Sequence, residues 1–240
     1  MKKVLKILTV SIVSTTVIIA LSGCGGGGGG SSSSDTITHN GVTYKTVKSP
    51  VTNRVWLDRN IGAAEVCTSY NDVACYGDYF QWGRNPDGHE DSNSGVTTTQ
   101  ASDISNVGHS LFIVTPLSGR GDWAYSIDPT GSARKAQWSK TDGSSVCPPG
   151  FRVPTLAELG AEVSDDIHNR VEAFNSFLKL PSAGYRNIDG VFKDVGEKGV
   201  YWSVDTNGYY SKGGIFMATS AQPIQNGKRA GGASVRCIKN

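Results

Sequence analysis

Four cysteines constrain this chain most, because its first residues decide what those cysteines can do. Lys2, Lys3 and Lys6 precede an uncharged run from Ile7 to Leu21, which leads into Ser22-Gly23-Cys24. A basic start, an apolar core and a small-residue cleavage site make a secretory signal over residues 1–23. The apolar stretch, about fifteen residues, is shorter than the roughly 20 that span a bilayer. Beyond it stand Cys67, Cys75, Cys147 and Cys237. An even number of cysteines in an oxidising compartment reads as disulfides, with three connectivities open. Locality favours Cys67–Cys75. That leaves Cys147–Cys237, whose long loop contributes roughly 4–5 kcal/mol in the chain-entropy account. Zinc is disfavoured: there is no Cys-x-x-Cys, and His39, His89, His109 and His168 lack ligand spacing.

The segment ending at Cys24 resembles a bacterial lipoprotein signal, which implies that Cys24 becomes the lipidated first residue and ties the chain to a membrane. Gly25, not Asp, follows, which implies the outer membrane in a diderm host. The expected location is the cell envelope, facing outside the cytoplasm. The chain's formal charge is +2, and residues 1–23 carry three lysines and no acid, so the remainder carries −1. Nucleic acid is therefore not an expected partner. Residues 24–34 comprise Cys24, six glycines and four serines, a flexible leash with an r.m.s. span of roughly 17 Å. Residues 35–240 suffice for a single domain.

Within that domain, Val42, Tyr44, Val47, Val55, Leu57 and Ile61 predict two or three short strands over 41–61. Residues 84–146 are mostly polar around the apolar run Leu111–Val114 and read as long loops, where function often sits. Thr155 and Glu158 form a capping box that starts one helix. A second helix begins near Ser164 and lines up Ile167, Val171, Phe174 and Leu178 until Pro181 stops it. Asp165-Asp166 at its start suit the helix dipole. Strands follow at Val200–Val204, Gly214–Ala218 and Ser234–Ile238. Two helices amid short antiparallel strands indicate an α+β fold.

A nucleophile elbow, a P-loop, a dinucleotide fingerprint and H-E-x-x-H are all absent from the sequence. Asp87-Gly88-His89-Glu90-Asp91-Ser92-Asn93 gathers oxygens but lacks the order of a calcium loop, and reads as solvated. No cofactor is expected, and a structural calcium has no supporting motif. His168 reads as a helix-surface residue. Trp56, Trp82, Trp123, Trp138 and Trp202 read as core rather than as a sugar-stacking platform.

Six segments carry a family resemblance. They are Trp56-Leu57-Asp58-Arg59-Asn60, Tyr76-Gly77-Asp78-Tyr79-Phe80-Gln81-Trp82, Cys147-Pro148-Pro149-Gly150-Phe151-Arg152-Val153-Pro154-Thr155, Leu180-Pro181-Ser182-Ala183-Gly184-Tyr185-Arg186, Tyr201-Trp202-Ser203 and Ser234-Val235-Arg236-Cys237. In this order they resemble the Fibrobacter succinogenes major paralogous domain family, and several resemble the C-terminal domain of Legionella collagen-like proteins. The resemblance implies a C-type lectin-like fold: two helices, small twisted antiparallel sheets, long loops and a disulfide from the first-helix region to the last strand. Gln222-Pro223 is followed by Ile224, and no W-N-D exists, so a calcium–sugar site of the lectin kind is not expected. The segment Tyr209–Arg229 also resembles the region varied in targets of diversity-generating retroelements.

These readings together describe a surface-displayed lipoprotein that binds an extracellular glycan or protein, without catalysis. The expected contact residues are Tyr209, Tyr210, Gln222, Gln225, Asn226, Lys228 and Arg229. Three alternatives stand beside it: an enzyme related to the formylglycine-generating and sulfatase-modifying families, a retroelement-diversified binder, and a structural envelope lipoprotein.

Overall fold

A computed structural model of the chain describes residues 36–163 and 167–240. The signal segment, Cys24, the Gly/Ser leash, Ser164 and Asp165-Asp166 lie outside the described residues. The first hairpin pairs β1 (Thr36–His39) with β2 (Val42–Lys48). Its turn is Asn40-Gly41, with φ of 48° and 78°; two positive values in a two-residue loop match the twist of the flanking strands. Next come β3 (Val55–Leu57), a 3-10 turn at Val73–Cys75, β4 (Phe80–Gln81), β5 (Val96–Thr97) and β6 (Phe112–Ile113). Helix α1 (Ser132–Trp138), β7 (Phe151–Arg152), α2 (Leu156–Glu162) and α3 (Arg170–Asn175) follow. The chain then forms β8 (Tyr185–Arg186), β9 (Phe192–Lys193), β10 (Gly199–Asn207), β11 (Tyr210–Phe216), β12 (Ala221–Gly227), β13 (Gly232–Ala233) and β14 (Ile238–Lys239).

The strands assemble into four sheets, ordered β1-β2-β3-β14-β7, β10-β11-β12, β4-β13-β8-β9 and β5-β6. All pairings are antiparallel except β5 with β6. This overturns the α+β, two-helix, C-type lectin-like expectation. The described residues are mostly β, with fourteen strands and three helices of six or seven residues. The helix near Ser164 is shorter than its apolar spacing suggests. Asn169 caps it, its side chain accepting from the amides of Val171 and Glu172, and it ends at Asn175. Ile167 and His168 precede it, and Leu178 follows it. Helix α1 starts in the region read as loops. The expected strand Ser234–Ile238 is only β14, at Ile238–Lys239.

The capping box forms as read: the Thr155 side chain accepts from the Glu158 amide, and Glu158 accepts from the Thr155 amide. At the other end of α2, buried Glu162 accepts from Ser49, Thr52 and Trp56, which pins the helix to the β2–β3 turn. Both expected disulfides are present. Cys67–Cys75 closes the 3-10 turn, and Cys147–Cys237 joins the chain before β7 to the chain before β14. All five tryptophans are buried. Trp82, Trp138 and Trp202 share one core cluster with Tyr44, Leu57 and Phe80, while Trp56 packs with Leu159, Tyr201 and Phe216 in another.

Candidate functional site

Five arginines are buried: Arg84, Arg134, Arg186, Arg229 and Arg236. A guanidinium removed from water must meet several acceptors at once, and these arginines find them in the loops. Arg134, on α1, donates to both carboxylate oxygens of Asp122, at 2.5 and 2.9 Å, and to Asp128 at 3.1 Å. Arg229 donates to Asp122 at 3.2 Å and to the carbonyls of Pro129, Thr130, Gly208 and Tyr210. Two arginines and two aspartates thus form a neutral buried cluster over Trp82 and Trp123. Burial and the Arg134 cation hold the Arg229 pKa below its ordinary value, while Asp122 and Asp128 act the other way. Gly131, at φ 76°, caps α1 where a Cβ would lie 2.7 Å from the Arg229 Cζ. Only glycine fits both that backbone and that approach.

The cluster positions an exposed feature above it. Gly208, at φ 57°, and Tyr209 form the two-residue turn between β10 and β11, and Arg229 grips the carbonyls on either side of Tyr209. Asp122 fixes the loop that carries Arg120 and Tyr125. The Arg120 guanidinium lies against both of two neighbouring rings, 4.5 Å from the centroid of Tyr125 and 4.2 Å from that of Tyr209. The ring centroids are 6.1 Å apart at 65°. Arg120 makes no hydrogen bond or ion pair among the described residues. It stands on the rim of an open groove of about 800 Å³ lined by Thr98, Gln100, Val114, Pro116, Tyr125 and Asp189, among others.

The seven expected contact residues do not form one patch. Tyr209 contacts Arg120, and exposed Tyr210 follows it. Gln222 and Gln225 line a separate cavity of about 390 Å³ between α2 and the β11–β12 face. Asn226 accepts from Asn207. Lys228 is half-buried and donates to the Leu117 carbonyl. Arg229 is wholly buried and corrects the expectation of an exposed contact: it positions Tyr209 from below. Pro223, on β12, is tolerated because that strand pairs only with β11. Arg120 and Tyr125 were missed. The signal was Gly119-Arg120-Gly121-Asp122-Trp123, a turn-forming run directly before a tryptophan that had to be buried.

One other cluster, Asp87, His89 and Glu90, brings three metal-ligand types within 4.8 Å. The His89 Nε2 accepts from the Gln81 amide at 3.1 Å, so Nδ1 carries the proton. Nδ1 lies 2.8 Å from an Asp87 oxygen and 3.1 Å from a Glu90 oxygen. A ring so engaged has no lone pair left for a metal, and the cluster serves to fold its loop. Burial would raise the Asp87 pKa, but the His89 hydrogen bond and the Arg84 charge outweigh it and hold the carboxyl below its ordinary value. No protein-family model, curated protein or solved structure matches this chain.

Proposed function

We propose that this chain is a lipid-anchored protein of the cell envelope whose folded part binds an extracellular glycan or protein. The cluster of Arg120 with Tyr125 and Tyr209 carries the reading. It is an exposed cation against two aromatic rings, beside a groove and above a buried ionic cluster. Holding such groups at a surface costs side-chain entropy and yields no core, as a recognition surface does. The rival enzyme reading needs reactive thiols or metal-binding side chains. Cys67, Cys75, Cys147 and Cys237 are all bridged, and His89 is engaged as above, which weighs for binding. The anchor rests on residues 1–34.

Two measurements test the proposal. Palmitate labelling of cells should mark the wild type and not Cys24→Ser. The full chain on glycan and surface-protein arrays should give at least one hit that Tyr209→Ala weakens. Blank arrays with an intact fold would sink the binding reading.

A further inference from the structure

We infer that the groove beside Arg120 takes a carboxylate-bearing sugar unit of a glycan, a deepening that rests on the binding reading above. The first ground is the cation. The planar guanidinium carries five donors in a fork that matches a carboxylate bidentately, and in Arg120 none of them is spent on a described residue. Its contacts with the Tyr125 and Tyr209 rings hold it at the groove without using those donors.

The second ground is the rest of the groove. The backbone amides of Val114, Thr115 and Gly119 are spent on the carbonyls of Thr97, Ile188 and Pro116. Beside them stands side-chain chemistry suited to a polyol. Thr98 brings a hydroxyl. Gln100 brings a side-chain amide, its nitrogen donating to the carbonyls of Trp123 and Asp122 at 3.0 and 3.2 Å. Asp189 is an exposed carboxylate held below its ordinary pKa chiefly by the Val191 amide, so it is an acceptor for hydroxyls. Asp122 lines the groove too, but its charge is consumed by Arg134 and Arg229. One free cation and several hydroxyl-binding groups fit an acidic sugar better than a neutral one, or than a polyanion that would meet Asp189.

The test is an array of uronate- and sialate-containing oligosaccharides beside their carboxyl-reduced counterparts and a set of sulfated glycans, probed with the full chain in detergent. At least one carboxylated probe should bind, and its reduced counterpart should bind about tenfold or more weakly. Arg120→Gln should erase that difference, and Arg120→Lys should keep part of it, with unchanged thermal melts showing that both variants fold. Equal binding of acidic and reduced probes, an Arg120→Gln variant that keeps the preference, or binding of sulfated glycans alone would overturn the inference. Those outcomes would leave the binding reading standing, as would a protein ligand insensitive to Arg120. Blank glycan and protein arrays would remove both.

Discussion

Along β10, β11 and β12 most backbone groups pair within the sheet. Strands of nine, seven and seven residues form ladders interrupted by one register shift each, near Trp202–Thr206 and Ser211–Gly213, and Leu159, Tyr201 and Phe216 are buried with them. Between residues 84 and 131 the only strands are β5 and β6, of two residues each, and many carbonyls are met by side chains. Arg84 reaches those of His109 and Leu111, and Arg134 that of Asp128. The first region spreads its stability over many small, similar terms. The second concentrates it in a few ionic groups, each costly to leave unpaired. A loop segment held this way can present a rigid surface without regular structure, and it can fail at a single residue.

The largest expected effect breaks that concentration. Asp122→Ala leaves the Arg134 and Arg229 charges short of a shared partner inside the protein and should cost about 3–5 kcal/mol. Chemical denaturation reads the loss. Hydrogen exchange should show it falling on residues 119–131 and the β10–β11 turn more than on the β10–β12 ladder. Uniform loss across both regions would mean that the two are not separately held. Replacing Cys147 and Cys237 together by Ser should cost about 2–5 kcal/mol, with the opposite distribution: protection should fall at β7 and β14 while the Arg120 loop keeps its exchange pattern.

The same contrast explains what the sequence made legible. Local signals worked where the cause is local. Thr155 and Glu158 cap each other three residues apart, and Asn40-Gly41 turns a hairpin. Cysteine separation pointed to the two bridges that formed. Apolar periodicity failed where burial is ionic. Helix α1 buries Arg134 and Trp138, four residues apart, so one of its two inward positions reads as surface. Arg229 reads as an exposed contact for the same reason, since charge predicts exposure unless partners distant in sequence are known. Asp122 lies 107 residues from it. The α+β expectation failed because strands of two residues, such as β4, β8 and β13, are too short to alternate and exist only through their neighbours.

Asp78 sharpens the comparison at the seam between the regions. Its amide donates to Ile61 on the sheet side, while its carboxyl is pushed up to about 7 by burial and by the nearby charges of Glu90 and Asp91 in the loops. A carboxyl raised in the folded state is neutral in both states below about pH 4, and from there the unfolded chain ionises first. Its contribution to stability is therefore whole in acid and is lost as pH rises through about 7. Asp78→Asn should stabilise the protein at pH 7 on the order of 2–4 kcal/mol and leave it nearly unchanged at pH 4. Thermal melts of both proteins across that range give the difference directly, and a constant difference would show that Asp78 is not the titrating group.

The smallest effect separates two arginines that touch the same tyrosine turn. Arg229 grips the carbonyls around Tyr209 from inside, and Arg120 stacks on its ring from outside. Removing the inner one should cost several kcal/mol, because it leaves Asp122 and Asp128 with Arg134 as their one cation and frees four carbonyls. Arg120→Gln should cost no more than about 0.5–1 kcal/mol, the value of a cation over an aromatic ring at an exposed site. A residue so cheap to the fold yet held against two rings has its use outside the fold. Equal losses for the two variants would assign Arg120 to structure after all, and would take from the groove the one cation it has to offer.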